Sequence, residues 1–180
     1  MGSRMIVTVF GGSQPKQGSE AYAQAVALGT LLANAGHTVV TGGYMGTMEA
    51  VSQGAYNAGG HTIGITCAQI EDWRGTPANA WVKEERKAGT LIERLGELIT
   101  ICDAAIALPG GPGTLTEISL MWNLMIIQAL PQKPLILVGD GWQQTLDSFR
   151  RTLGSYSNPG QQELLTYATT VSDAINTLAL

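Results

Sequence analysis

The stretch Asp103-Ala-Ala-Ile-Ala-Leu-Pro-Gly-Gly-Pro-Gly-Thr-Leu-Thr-Glu117 decides the fold. Asp103–Leu108 reads as a short buried strand: apolar residues run unbroken and stop at a proline. Helical periodicity then extends over Thr114–Ala129. Between them Pro109-Gly110-Gly111-Pro112-Gly113 forms a turn tight enough to join the two directly. Strand, glycine turn and helix make one βα unit, the repeating piece of a parallel sheet covered by helices.

The same alternation continues on both sides. Upstream, the apolar run Met5–Phe10 ends at Gly11-Gly12-Ser13, and helical spacing follows over Glu20–Ala35 until Gly36 stops it. A strand over His37–Thr41 leads to Gly42-Gly43, a helix covers Gly46–Ala58, and a third strand covers His61–Thr66. Residues 67–84 are the least regular, and Trp73, Gly75, Pro77 and Trp81 suggest a loop that covers a pocket. Glu85–Cys102 reads as helical, with Thr90-x-x-Glu93 either an internal capping box or chance. Downstream come a strand over Pro134–Val138, a helix over Trp142–Leu153, a Gly/Pro-bearing polar stretch, a short strand near Thr166–Thr169 and a helix over Ser172–Leu178. The expectation is one α/β domain over residues 1–180: a mostly parallel sheet with helices on both faces, its ligand site beyond the carboxyl ends of the strands.

Composition narrows the function. Only 13% of the residues are charged and 44% are hydrophobic, too few polar side chains to cover a monomer well. The net charge of −4 with no basic run argues against duplex nucleic acid and anionic membranes as main ligands. No stretch of about twenty apolar residues offers a membrane span. Cys67 and Cys102 have no C-x-x-C spacing, so a disulfide framework and a zinc site are not expected, and reduced thiols fit a cytoplasmic protein. Met1-Gly2-Ser3-Arg4-Met5 lacks a signal-peptide shape. Met5 reads as the natural start, with residues 1–4 an appended leader.

Three strands end in glycine, at Gly11, Gly42 and Pro109-Gly110, where a backbone can approach a ligand closely. In the third, Gly110, Gly111, Gly113 and Thr114 open a helix whose first amides lack partners and carry partial positive charge, a site suited to one phosphate. Gly42, Gly43, Gly46 and Met48 surround a second such turn. Gly12 and Ser13 sit at the first, where Ser13 is either a turn serine or a hydroxyl donor to the anion. Glu117 has two readings of equal weight. Thr114-x-x-Glu117 is a capping box, which would fold the carboxylate onto its own backbone. Alternatively the carboxylate faces a sugar, steadying positive charge there and taking a proton from attacking water. Neither G-x-G-x-x-G nor G-x-x-x-x-G-K-[ST] is met, so dinucleotide binding and ATP hydrolysis lack their usual residues. His37 and His61 begin strands, at the edge away from the glycine turns. The helix over Thr114–Ala129 is apolar around most of its circumference (Ile118, Leu120, Met121, Trp122, Leu124, Met125), which predicts a homodimer built on it.

These residues resemble the LOG family, once labelled lysine decarboxylase-like. Pro109 through Glu117 meet its motif P-G-G-x-G-T-x-x-E at every fixed position. Gly42, Gly43, Gly46 and Met48 meet G-G-x-x-G-x-M, and Gly12-Ser13 meets the first-strand pair. The resemblance runs from about residue 6 to residue 140. It implies a three-layer Rossmann-like fold, a homodimer with the active site near its interface, and hydrolysis of a nucleoside 5′-monophosphate, AMP-like or a cytokinin riboside monophosphate. It implies no cofactor; in particular no lysine site supports pyridoxal phosphate. The family also carries an arginine about fifteen residues before P-G-G. Arg86 matches its local letters and Arg94 its spacing. Arg94 is the choice, against the plain alternative of a surface ion pair with Glu93 or Glu97. The resemblance thus implies Arg94 and Glu117 as catalytic residues. On the same reading Arg94 touches phosphate or ribose, and the loop over 67–84, with Trp73 and Trp81, is expected against the base. Molybdenum-cofactor carrier proteins resemble the same architecture, so a non-catalytic nucleotide or cofactor carrier is the rival expectation, and a nucleotide-sensing module a third.

Overall fold

The computed structural model describes residues 3–178. Residues 1 and 2, half of the leader expected at the start, lie outside that range. Seven strands form one sheet: β1 (Ile6–Phe10), β2 (Thr38–Thr41), β3 (Thr62–Cys67), β4 (Glu84–Ala88), β5 (Ala104–Ala107), β6 (Leu135–Val138) and β7 (Thr166–Ala168). Every pairing is parallel, in the order β4-β3-β2-β1-β5-β6-β7. The chain winds outward from β1 in one direction, then returns to the other side of β1 and winds outward again. The switch lies between β1 and β5, whose carboxyl ends are neighbours, with Phe10 opposite Ala107. Such a reversal opens a crevice at the sheet's carboxyl edge.

Seven helices connect the strands: α1 (Glu20–Asn34), α2 (Thr47–Asn57), α3 (Ala68–Arg74), α4 (Leu91–Thr100), α5 (Pro112–Ile126), α6 (Asp140–Leu153) and α7 (Val171–Leu178), with short 3-10 turns at Gly154–Tyr156 and Pro159–Leu164. Strand residues alternate between two apolar layers. Val7, Val9, Ile106 and Ile136 join α1, α2 and α7 on one face. Phe10, Ala105, Leu135 and Leu137 join α4, α5 and α6 on the other. α1 and α2 cross at very short range. A Cβ on Gly29 would lie 2.0 Å from the Val51 carbonyl oxygen, and one on Gly54 would lie 2.0 Å from that of Val26.

Several expectations need correction. The helix read over Glu85–Cys102 is two elements: Glu84–Ala88 is the edge strand β4, and α4 begins only at Leu91. β4 is charged because an edge strand needs no second apolar neighbour and is protected by charge from further pairing. Its Glu84 accepts from Arg86 at 2.7 Å and meets His61 at 3.0 Å. Thr90-x-x-Glu93 is therefore a true terminal capping box, not an internal one: Thr90 accepts from the Glu93 amide, and Glu93 accepts from the Thr90 amide at 2.8 Å. Residues 67–84 are not all loop, since α3 lies among them. Two further helices have shifted starts: α5 opens at Pro112 rather than Thr114, and α6 at Asp140 rather than Trp142. α5 is not buried all round in the single chain. Ile118, Met121 and Met125 face the sheet, whereas Leu120, Trp122 and Leu124 are half-buried and Leu115 is exposed.

Candidate functional site

A cavity of about 560 Å³ occupies the crevice at the β1/β5 switch, within the range of small-molecule sites. Its polar wall is built by the glycine turns. Gly12 donates its amide to the Pro109 carbonyl at 3.1 Å, which brings the first and third turns together. The second turn packs on the first: Thr47 donates to the Gly12 carbonyl at 2.9 Å. Gly46, at φ +72°, leaves only 2.5 Å between a would-be Cβ and the Ser13 carbonyl carbon, so no larger residue fits there.

α5 starts at the cavity wall. Gly111 is its N-cap and makes no side-chain cap, and Pro112 is its first residue. Proline suits that position because its missing amide would be an orphan anyway. The Gly111, Gly113 and Thr114 amides have no hydrogen-bond acceptor among the described residues, and all three residues line the cavity. An anion placed there meets several unpaired donors at the positive end of a four-turn helix.

Because α5 begins at Pro112, Thr114 sits in its first turn and cannot act as its cap. The capping-box reading of Glu117 therefore fails. Its carboxylate lines the cavity one turn beyond the amides, with no hydrogen bond to the described residues. Burial pushes it up to about 7, and the Arg94 guanidinium partly opposes that rise. A carboxyl balanced near neutrality can take or give a proton at working pH.

Arg94 is buried in the floor of the same cavity. It does not pair with Glu93, which caps α4, nor with Glu97, whose partner is Arg86 on β4. Its Nε donates to the Ile65 carbonyl at 2.7 Å and its Nη2 to the Gly42 carbonyl at 3.0 Å, so one guanidinium spans the ends of β2 and β3. Tyr44 lies beside it, with the ring centre 5.5 Å from the guanidinium carbon. Burial lowers the arginine's pKa and Glu117 raises it back. The remaining donors keep a fixed positive charge in the cavity wall.

Of the residues singled out from sequence, Gly12, Ser13, Met48, Arg94, Gly111, Gly113, Thr114 and Glu117 line this cavity. Gly42, Gly43, Gly46 and Gly110 do not. Gly42 and Gly43 lie beneath it, their carbonyls taken by Arg94 and Asn79; Gly110 borders a smaller cavity of about 180 Å³ beside Trp142. Sequence reading missed Gln14, Tyr44, Gln69, Ile70, Arg74 and Leu91, which also line it. Tyr44 lay inside the quoted G-G-x-x-G block at an unfixed position, and the α3 residues lay inside the irregular segment. The two tryptophans separate. Trp73 lines the cavity, whereas Trp81 packs edge-on against Tyr56 at 5.6 Å. His61 pairs with Glu84, and His37 accepts from the Met5 amide at 3.2 Å; neither lines the cavity. Both cysteines are buried and unpaired. Among the described residues no group of three or more His, Cys, Asp or Glu side chains could hold a metal ion, and no helix is long and apolar enough to cross a membrane.

Residues 4–164 match LDcluster4, the SLOG cluster4 family. The probable cytokinin riboside 5′-monophosphate phosphoribohydrolase LOGL5 of Oryza sativa subsp. japonica is 31% identical over 177 residues, spanning 94% of this chain and 69% of that protein. The cytokinin riboside 5′-monophosphate phosphoribohydrolase LOG3 of Arabidopsis thaliana is 33% identical over 181 residues, spanning 97% and 81%. Among solved structures, the molybdenum cofactor binding protein of Rippkaea orientalis superposes with a TM-score of 0.75 at 28% identity, covering 98% of this chain and 96% of that one. The three-layer α/β architecture and the P-G-G-x-G-T-x-x-E resemblance thus meet independent likenesses along nearly the whole fold, and the chain belongs to the SLOG/LOG family, matching the SLOG cluster4 model and the LOG relatives alike.

Proposed function

We propose that this protein is a nucleotide phosphoribohydrolase, which cleaves the N-glycosidic bond of a nucleoside 5′-monophosphate to free base and ribose 5-phosphate. The observation that carries the proposal is Glu117: a carboxylate with no hydrogen-bond partner among the described residues, in a cavity, one turn beyond three unpaired amides. The amides of Gly111, Gly113 and Thr114 hold the phosphate, with Ser13 at its side. That placement sets the ribose against Glu117. As the C1′–N bond breaks, its electron pair leaves with the base, and positive charge develops on the sugar. The Glu117 carboxylate stabilises that charge. Water adds to C1′ and gives its proton to Glu117, which passes that proton to the base nitrogen that received the bond's electron pair, so the carboxylate is regenerated. Arg94 holds the ends of β2 and β3 in register and keeps the Glu117 carboxyl from rising further, so that an ionised fraction exists at neutral pH.

The names of the relatives in rice and Arabidopsis support this reaction class. Incubation with AMP and other monophosphates, read by chromatography for free base, tests it. Base release by the parent and none by Glu117→Ala, with the fold intact by circular dichroism, is the expected pair of results. The likeness to the Rippkaea protein favours a second reading, a carrier that holds a phosphorylated ligand without cleaving it. Tight AMP binding with no turnover of any monophosphate would select it. The protein acts in the cytoplasm, and its half-covered α5 face, with Leu120, Trp122 and Leu124, is the contact of a homodimer. Sedimentation at micromolar concentration should give a dimer mass; a monomer alone would contradict this.

A further inference from the structure

Trp73 is 75% exposed although it lines the cavity, an unusual place for an indole unless a ligand covers it. The Arg74 guanidinium carbon lies 4.7 Å from the Trp73 ring centre, so one face of the indole is backed by a cation. Its other face has no aromatic or cationic partner among the described residues. Ile70 and Leu91 add apolar surface to the same wall, which belongs to α3 and the start of α4, away from the α5 amides.

α3 is a short helix with no fully buried side chain and only Ala68, Ile70 and Glu71 half-buried, so packing alone holds it weakly. Polar ties add to that hold. Gln69 accepts from the Leu91 amide at 2.8 Å, and Glu71 accepts from Lys87 at 2.7 Å and meets the Tyr44 hydroxyl at 3.4 Å. Three separate elements therefore fix the helix that presents Trp73. With a phosphate on the α5 amides and a sugar at Glu117, the flat remainder of a nucleotide extends to this wall.

Resting on the nucleotide reading above, we propose that Trp73 is the base-binding residue: the base stacks on its open face and Arg74 backs the other. Aromatic stacking recognises any base through its π-face, and the polar groups of this wall are already engaged: Gln69 accepts from the Leu91 amide and Arg74 lies against the indole.

The test compares AMP and ribose 5-phosphate, which carries the phosphate and sugar but no base. Calorimetric Kd values are measured for the parent, Trp73→Ala and Trp73→Phe, together with KM and kcat for AMP. Trp73→Ala should weaken AMP binding about tenfold or more, the loss typical of one base–aromatic stack. It should leave ribose 5-phosphate unchanged, and Trp73→Phe should recover most of the affinity. Equal losses for AMP and ribose 5-phosphate, or no loss for either, would overturn the assignment. AMP binding that obeys this pattern without release of adenine would refute the hydrolase reading while supporting the stack. A parent that binds neither AMP nor ribose 5-phosphate would overturn both.

Discussion

Replacing Glu117 by glutamine should stabilise the protein at alkaline pH while removing its activity. In the folded chain burial lifts this carboxyl to about 7 from an ordinary 4.5, with Arg94 opposing the rise. Between those values the folded state keeps a proton that the unfolded chain has lost. The folded state then binds more protons, so stability falls as pH rises from 4.5 through about 7 and levels off above. At about 1.4 kcal/mol per pH unit the full interval is worth about 3 kcal/mol, and access of water from the cavity reduces this to about 1–2 kcal/mol. Glutamine, neutral at every pH, does not suffer the loss. Urea unfolding at about pH 4.5, 6 and 8 should therefore give curves that nearly coincide in acid and separate by about 1–2 kcal/mol at the alkaline end, the variant being the more stable, with unchanged m. Parallel pH profiles for parent and variant, or a gap that opens toward acid, would refute the buried, unpartnered carboxylate.

Gly54→Ala sets a Cβ 2.0 Å from the Val26 carbonyl oxygen, where backbone and not a flexible side chain must retreat; it should lose about 1–3 kcal/mol in urea unfolding while leaving KM for AMP unchanged. Gly42→Ala sets a Cβ 1.8 Å from Arg94 Nη2 and 2.6 Å from Met48 Sδ, which must displace the guanidinium; turnover of AMP should fall on the order of a hundredfold, and parent-like kcat would contradict the clamp. Arg94→Lys keeps the charge but cannot hold the Ile65 and Gly42 carbonyls at once, and stopped assays with AMP should show a comparable loss.

Much of this arrangement is legible in the chain because parallel strands buried on both faces are continuous apolar runs, and glycines mark where they end. That logic found β1, β2, β3, β5 and β6 and brought the three turns to one edge. It could not find β4, whose Glu84-Glu85-Arg86-Lys87 carries no apolar alternation and so merged with α4 across Gly89. The role of Thr114 was misread for a related reason. A threonine three residues before a glutamate signals a cap only if the helix starts after it, and Pro112 starts α5 earlier. The choice between Arg86 and Arg94 is a matter of side-chain direction. Spacing to Pro109 carries it where local letters do not: Arg86 sits on an exposed edge strand, and Arg94 on the buried face of α4. The α3 wall left no periodic trace, because a seven-residue helix held by Gln69 and Glu71 shows none of the apolar spacing that marks a packed one.

A crystal structure with ribose 5-phosphate bound tests the central claim most directly. The phosphate should lie within hydrogen-bonding distance of the Gly111, Gly113 and Thr114 amides, with the Glu117 carboxylate against the sugar at C1′. A phosphate bound elsewhere in the cavity, or a Glu117 side chain turned away from the sugar, would contradict it.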